Sequence, residues 1–156
     1  MQRLVFACTL MLAAAACGGS TPSTASGPQI SVGGSYDIRK TIVTDTCGLS
    51  SPGDVFSNPG EVRHTAGATT FVLNDHGTRD LPGTLSRDGT FTMAASRSLV
   101  MSSIDAVDTF DNSRFTVSGF EMRVTTDLAS RPGGGPACRV VTNWAAAKQG
   151  SPNVIP

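Results

Sequence analysis

Charge and aromatic side chains are scarce in this chain: only 15% of its 156 residues are charged and 6% are aromatic. Lysine occurs only at Lys40 and Lys148, and the formal net charge is zero. Because no basic stripe could neutralise a phosphate backbone, we do not expect nucleic acid as a partner. The Gly-x-Ser-x-Gly elbow, the Walker phosphate loop and the His-Glu-x-x-His motif are also absent. The sequence therefore predicts no catalytic residue, no cofactor and no enzymatic activity.

Long apolar runs are equally scarce, and the single clear one lies at the N-terminus. Arg3 precedes the apolar stretch Leu4–Ala16, which ends in four alanines and is followed by Cys17. At about 13 residues it is too short to span a bilayer well, but it has the layout of a secretory signal. Small residues before a cysteine, with Gly18–Ser20 after it, resemble the lipobox of bacterial lipoproteins.

The resemblance implies that Cys17 carries lipid, of the palmitate type, and becomes the first residue of the mature chain. It also implies a protein of the cell envelope, lipid-anchored to a membrane. In lipoproteins of this type, an aspartate directly after the lipidated cysteine is similar to an inner-membrane retention signal. This chain has Gly18 at that position. The glycine at this position favours anchoring in the outer membrane, and the resemblance does not decide between its periplasmic side and its surface side.

Composition divides the chain into four parts. Residues 1–16 form the predicted signal peptide, and 17–29 form a flexible tether rich in Gly, Ser, Thr and Pro. Residues 30–149 have the usual size of one domain with one core. Residues 150–156 are predicted to be a disordered tail.

Cysteine usage predicts one disulfide. Cys8 would leave with the signal and Cys17 would be lipidated, so Cys47 and Cys138 remain as an even pair. In an exported chain such a pair is expected to be oxidised. There are two alternatives: the two cysteines are unrelated buried thiols, or the chain is cytosolic and its N-terminus is not a signal peptide.

The domain has the composition of strands and tight turns, with 17 Gly and 9 Pro. A period of two predicts strands around Tyr36, around Val62 and over 69–75. The segments 81–87 and 90–96 form a predicted hairpin. A three-residue loop with a left-handed Gly89 gathers the apolar residues on one face, and we prefer it to a two-residue turn.

The alternation also predicts which side chains point inward. Phe115 and Val117 fall on odd positions and Phe120 on an even one, so a bulge or turn is expected at Ser118-Gly119. Leu99–Phe110 is predicted as an irregular connection with one short strand. The predicted inward set is Tyr36, Ile38, Ile42, Val62, Phe71, Leu73, Leu85, Phe91, Met93, Phe115, Val117, Phe120, Met122, Val124, Val140 and Trp144.

The cysteine positions favour a closed topology. Cys47 follows the first predicted strand and Cys138 opens the last one, Cys138–Ala147, so a bridge would staple two antiparallel neighbours. The fold class is therefore all-β: a single up-and-down antiparallel barrel of seven or eight strands, with a β-sandwich as the alternative. Gly34–Tyr36 and Thr142–Trp144 faintly resemble the ends of lipocalin- and avidin-type barrels. That resemblance is one of architecture and implies no substrate.

Two sets of residues are candidates for metal binding, the two histidines and three aspartates. In a hairpin centred on Gly67-Ala68, His64 lies opposite Phe71, and His76 lies too far away to share an ion. We interpret His64 as a packed or rim residue and His76 as a turn residue. The spacing of Asp105, Asp108 and Asp111 offers oxygens for calcium if they lie in one loop, but a solvated acidic loop is the simpler interpretation. No metal site is predicted.

Two function classes remain from these observations. The leading hypothesis is a module that binds a small apolar ligand in or at the end of the barrel. The alternative is a structural or adaptor lipoprotein with a filled core that binds a partner protein of the envelope. How full the interior is should distinguish them.

Overall fold

Buried and exposed side chains alternate along the strands of this protein, as the two-residue period predicts. The computed structural model describes residues 28–76, 79–99, 104–130 and 137–156. The predicted signal peptide, Cys17 and most of the tether lie outside the described residues. The eight strands are β1 (Gly34–Asp45), β2 (Val55–Arg63), β3 (Thr70–Asp75), β4 (Arg79–Leu85), β5 (Phe91–Leu99), β6 (Ile104–Thr116), β7 (Gly119–Ser130) and β8 (Cys138–Lys148).

The strands form a closed antiparallel barrel in which each strand pairs with the next and β8 pairs with β1. The predicted up-and-down barrel is therefore confirmed over the sandwich. The disulfide joins Cys47 to Cys138 with 5.1 Å between the two Cα atoms. It lies where β1 ends and β8 begins, so it links covalently the two strands whose pairing closes the barrel.

The β4–β5 hairpin has the predicted register. Leu85 pairs with Phe91 and Gly83 with Met93. Gly89 has a φ of 86°, the left-handed conformation that the three-residue loop requires. The register that keeps the apolar residues on one face is the one that forms.

The β6–β7 region departs from the sequence-based expectation. Leu99 ends β5 and residues 104–110 belong to β6, so the described part of Leu99–Phe110 is strand and not an irregular connection. Residues 100–103 of that prediction lie outside the described residues. A bulge between Asp111 and Arg114, with Asn112 at a φ of 50°, shifts the inward face from even to odd positions. The chain then turns, so Val117 is 60% exposed, and its prediction as an inward residue is wrong.

The core is densest around five rings that touch one another, which we call the aromatic cluster: Tyr36, Phe71, Phe91, Phe115 and Phe120. Each ring residue is at most 5% exposed. Of the predicted inward set, only Val117 is exposed, and Val140 is half-buried. The aromatic cluster fills the barrel between its middle and the end where β1 begins.

That end, which we call the closed end, is covered by both terminal segments of the described chain. Ser31 and Val154 pair through two backbone hydrogen bonds of 2.9 Å, and Ile155 packs against the core. Asn153 is buried, and its amide donates to the carbonyls of Thr116 and Gly119 at 2.8 and 3.0 Å. The prediction of a disordered tail over 150–156 is therefore wrong, because a buried amide and an apolar contact hold the segment in place.

Tyr36 links this covering to the barrel and titrates abnormally. Its hydroxyl oxygen lies 2.6 Å from the Val32 carbonyl oxygen and 2.8 Å from Asn153 Oδ1, so its one hydrogen is shared between these two acceptors. Desolvation by burial raises the pKa of Tyr36 to about 12 from the ordinary 10, although the hydrogen bond with Asn153 lowers it in part. The unfolded chain therefore loses this proton at a lower pH than the folded protein does.

We expect the free energy of unfolding to fall by about 2 to 3 kcal/mol as the pH rises from below 10 to above 12. The stabilisation is fully present below the pKa of the unfolded chain and is lost as the pH passes the folded pKa. Urea titrations at several pH values measure it, with Tyr36→Phe as the control because phenylalanine does not titrate. Burial lowers the pKa of Lys148, a contribution of opposite sign that both proteins share. Parallel pH profiles of the two proteins would contradict the prediction.

Candidate functional site

The inward face of the barrel changes from apolar to charged toward the end opposite the closed end. We call this opposite end, where β1 ends and β8 begins, the open end. Four inward positions near it carry charge: Lys40 in β1, Asp75 in β3, Arg79 in β4 and Asp108 in β6. We call these four residues the charged cluster.

Ion pairs join the charged cluster into one network. Lys40 Nζ lies 2.8 and 2.9 Å from the two carboxylate oxygens of Asp75. The guanidinium of Arg79 donates to Asp108 through Nη1 and to Asp75 through Nη2, the latter at 3.4 Å. Opposite charges thus alternate across four strands, which offsets part of the cost of removing them from water.

Two neutral side chains also belong to the network. The Asn58 amide donates to Asp75 Oδ1 at 2.9 Å, and the Thr126 hydroxyl donates to Asp108 Oδ1 at 2.6 Å. Every carboxylate oxygen of the charged cluster therefore accepts at least one hydrogen bond. Buried carboxylates need such partners because an unsatisfied one is costly.

The side chains of the two cations of the charged cluster are more accessible than those of its two carboxylates. The side chains of Lys40 and Arg79 are 18% and 20% exposed, whereas those of Asp75 and Asp108 are 11% and 1% exposed. The two cations are therefore the more accessible charges of the charged cluster at the open end.

Trp144 separates the charged cluster from the apolar interior. Lys40 Nζ lies 3.9 Å from the centroid of the indole ring, a cation–π contact. The indole Nε1 donates to Thr142 Oγ1 at 2.8 Å, so the ring is oriented by a bond of its own. The floor of the open end is therefore both charged and aromatic.

Apolar side chains surround this floor at the level of the strand ends. Phe56 pairs with Lys40 and shares its inward face, yet it is 50% exposed. Leu128 and Val140 lie across the barrel on β7 and β8, both partly exposed, with Val140 opposite Thr126. We call Phe56, Leu128 and Val140 the apolar rim. Large apolar groups left accessible on the inward face at the end of a barrel are typical of ligand sites.

The two histidines lie apart, as expected. Arg63 pairs with Val72, the register that sets His64 opposite Phe71. The His64 ring lies 3.4 Å from the Val32 backbone N–H and 3.0 Å from the Ala68 carbonyl, near the closed end. His76 lies in the turn after β3 at the open end with a φ of 56°.

The three aspartates considered for calcium do not converge. They lie within strand β6 rather than in a loop, and a spacing of three residues in a strand places neighbours on opposite faces. Asp108 points inward to Arg79, whereas Asp111 is exposed on the outer face. Within the described ranges, no group of three His, Cys, Asp or Glu side chains could hold a metal ion.

Sequence analysis missed Lys40, Asp75 and Arg79 as site residues, although a signal was present. Lys40 interrupts the inward series Tyr36, Ile38 and Ile42, and Asp75 follows Phe71 and Leu73 at the same spacing. A charge at an inward position marks either a buried ion pair or a polar site. The up-and-down order predicts which strands are neighbours, but alternation alone does not give the register that brings these four charges to one level of the barrel.

A concave surface lies on the outside of the barrel. A groove of about 880 Å³ runs across the outer faces of β3, β4 and β5, lined among others by Thr70, Val72, Pro82 and Thr92. Gly83 is one of its lining residues, and a side chain there would collide with the Phe71 ring at 2.5 Å. The Phe71 ring thus occupies the interior space that a side chain at position 83 would need.

No protein-family model, no curated protein and no solved structure shows significant similarity to this chain. Among the residues that the structure describes, no helix is long and apolar enough to cross a membrane. The site must therefore be interpreted from its own geometry.

Proposed function

We propose that this protein is a lipid-anchored binding protein of the cell envelope that holds a small ligand at the open end of its barrel. One observation carries the proposal: Phe56 is half exposed on the inward face, above a charged cluster whose cations are accessible. The proposal assigns the protein no catalytic activity and no cofactor.

The filled interior supports a small ligand bound at the end of the barrel rather than deep inside it. Trp144 and the aromatic cluster occupy the space below Lys40. An eight-stranded barrel is just wide enough to be filled by its own side chains or to hold one small molecule. This protein divides that space, with packed rings toward the closed end and an accessible charged floor toward the open end.

The predicted anchor gives the site an orientation. The described chain enters at Pro28, and Ile30 and Val32 are buried in the closed end. A lipid on Cys17 would hold that end near the membrane, since ten residues of a flexible chain span about 20 Å on average. The open end would then face away from the anchoring membrane, toward ligands in the aqueous compartment.

Phe56→Asp is expected to weaken binding of the neutral fluorescent probe N-phenyl-1-naphthylamine by about tenfold, because an apolar contact is lost from the rim. The readout is probe fluorescence with the mature protein after its lipid has been trimmed. Val117→Asp is the matched control, since Val117 is an exposed apolar residue at the closed end. Equal binding by wild type and Phe56→Asp would refute a site at the open end.

The outer groove favours a second function, that of an adaptor which binds a partner protein of the envelope. Its lining is mostly apolar and small. The hydroxyl groups of Thr84 in β4 and Thr92 in β5 form a hydrogen bond of 2.7 Å within it. Thr84→Arg would block the groove without touching the open end. Loss of a co-purifying envelope protein in Thr84→Arg, but not in Phe56→Asp, would favour the adaptor.

A further inference from the structure

We infer that the ligand of the open end is a small amphiphile with a carboxylate, and that Arg79 binds this carboxylate. The inference rests on the proposed function and adds the chemical class of the ligand. It follows from a count of hydrogen-bond donors and acceptors in the charged cluster.

The acceptors of the charged cluster are already engaged. Asp75 Oδ1 accepts from Lys40 and Asn58, and Asp75 Oδ2 accepts from Lys40 and Arg79. Asp108 accepts from Arg79 and from Thr126, and its side chain is 1% exposed. A ligand that brings a donor, such as an ammonium group, would have to displace an existing partner.

The N–H donors of Arg79, by contrast, are more numerous than its ion-pair contacts. A guanidinium carries five N–H groups. Arg79 makes its two ion-pair contacts within the described part of the chain through Nη1 and Nη2. Its side chain is 20% exposed, the most accessible of the four. An acceptor-rich, planar group such as a carboxylate matches this arrangement and forms charge-assisted hydrogen bonds.

The wall of the barrel is lowest where Arg79 lies. Asp75 is the last residue of β3 and Arg79 the first of β4, whereas β6 continues for four residues past Asp108 toward the open end. Four residues add about 13 Å of wall. A ligand can therefore place its carboxylate over the low side and its apolar body against Leu128 and Val140 on the high side.

The test compares three eight-carbon probes, octanoate, octanol and octylamine, as competitors of N-phenyl-1-naphthylamine at neutral pH. We expect octanoate to displace the probe at about tenfold lower concentration than octanol, and octylamine to be the weakest. If octanoate and octanol compete equally, the inference fails while the proposed function stands. If the fluorescent probe itself does not bind, the proposed function fails too.

Variants assign the preference to Arg79. Arg79→Lys and Arg79→Gln should remove the preference for octanoate, while Arg63→Gln should keep it. Arg63 is the matched control because it pairs with Asp80 at 2.5 Å on the outer surface. An octanoate preference that persists in a folded Arg79→Gln would overturn the assignment.

A measurement on the wild type keeps the inference testable if both Arg79 variants fail to fold. The arginine Nε–H signals in an NMR spectrum can be followed as octanoate is added. The Arg79 signal should shift with saturation and the Arg63 signal should not. A spectrum in which Arg79 does not respond while octanoate binds would overturn the inference.

Discussion

Replacing Phe115 with alanine is expected to destabilise the protein by about 3 to 5 kcal/mol, the range measured for large aromatic side chains removed from cores. Phe115 is 1% exposed and lies at the centre of the aromatic cluster. Its ring centroid is 4.8 Å from that of Phe91, 5.4 Å from Phe71 and 5.6 Å from Phe120. The substitution removes these contacts together and leaves a cavity that four rigid rings cannot collapse to fill.

The control substitution is made at Val117, two residues after Phe115. Val117→Ala should change the free energy of unfolding by less than about 0.5 kcal/mol, because Val117 is 60% exposed in the β6–β7 turn. Urea titrations of the two variants and the wild type, followed by tryptophan fluorescence, measure both effects. A loss of similar size at the two positions would mean that Val117 is buried and that β6 has a different register.

Those two residues also mark the limit of prediction from sequence. Alternation predicted most of the inward residues because each strand keeps one face on the core. It failed at Val117 because β6 ends at Thr116 and the chain turns there, so Val117 is exposed although its odd position continues the inward phase of Phe115. The bulge with Asn112, which changes that phase from even to odd within β6, was not foreseen either. A left-handed asparagine inside a strand leaves no distinctive mark in a single sequence. The strand within Leu99–Phe110 was missed for another reason, because Asp108 points inward and the apolar Val107 is 49% exposed, the reverse of the usual pattern.

The closed end shows a second limit. Residues 150–156 were predicted as a disordered tail because their composition is that of a loop. Asn153 nevertheless accepts from Tyr36 and from Lys148, both at 2.8 Å, and so joins the tail to β1 and β8. These partners lie 117 and 5 residues away in sequence. A buried amide whose main partner is so distant can be recognised only once the barrel is formed.

The disulfide was predictable, and its removal is the second large effect. The double variant Cys47→Ser with Cys138→Ser is expected to lose about 3 to 4.5 kcal/mol of stability. The bridge spans a separation of 91 residues, so the unbridged unfolded chain gains the entropy of a long loop. Urea titrations under non-reducing conditions should show a lower midpoint for the variant. The wild-type protein in the presence of a reductant should unfold at the same lower urea midpoint as the variant.

The folded state should survive this change, because the seam has other bonds. The Thr46 N–H donates to the Arg139 carbonyl at 2.9 Å, and the Arg139 N–H donates to Thr46 Oγ1 at 2.8 Å. The Asp45 carboxylate accepts from four successive backbone N–H groups, those of residues 47–50, at 2.6 to 3.1 Å. The loop that presents Cys47 is thus fixed by hydrogen bonds of its own.

The destabilisation should therefore arise in the unfolded chain and not in the barrel. Below the unfolding transition, the double-serine variant should keep the circular dichroism spectrum of the wild type and its affinity for N-phenyl-1-naphthylamine. A variant with equal stability would contradict the entropic argument. Lost probe binding at full native signal would instead show that the bridge shapes the open end directly, since Cys138 pairs with Leu128 of the apolar rim.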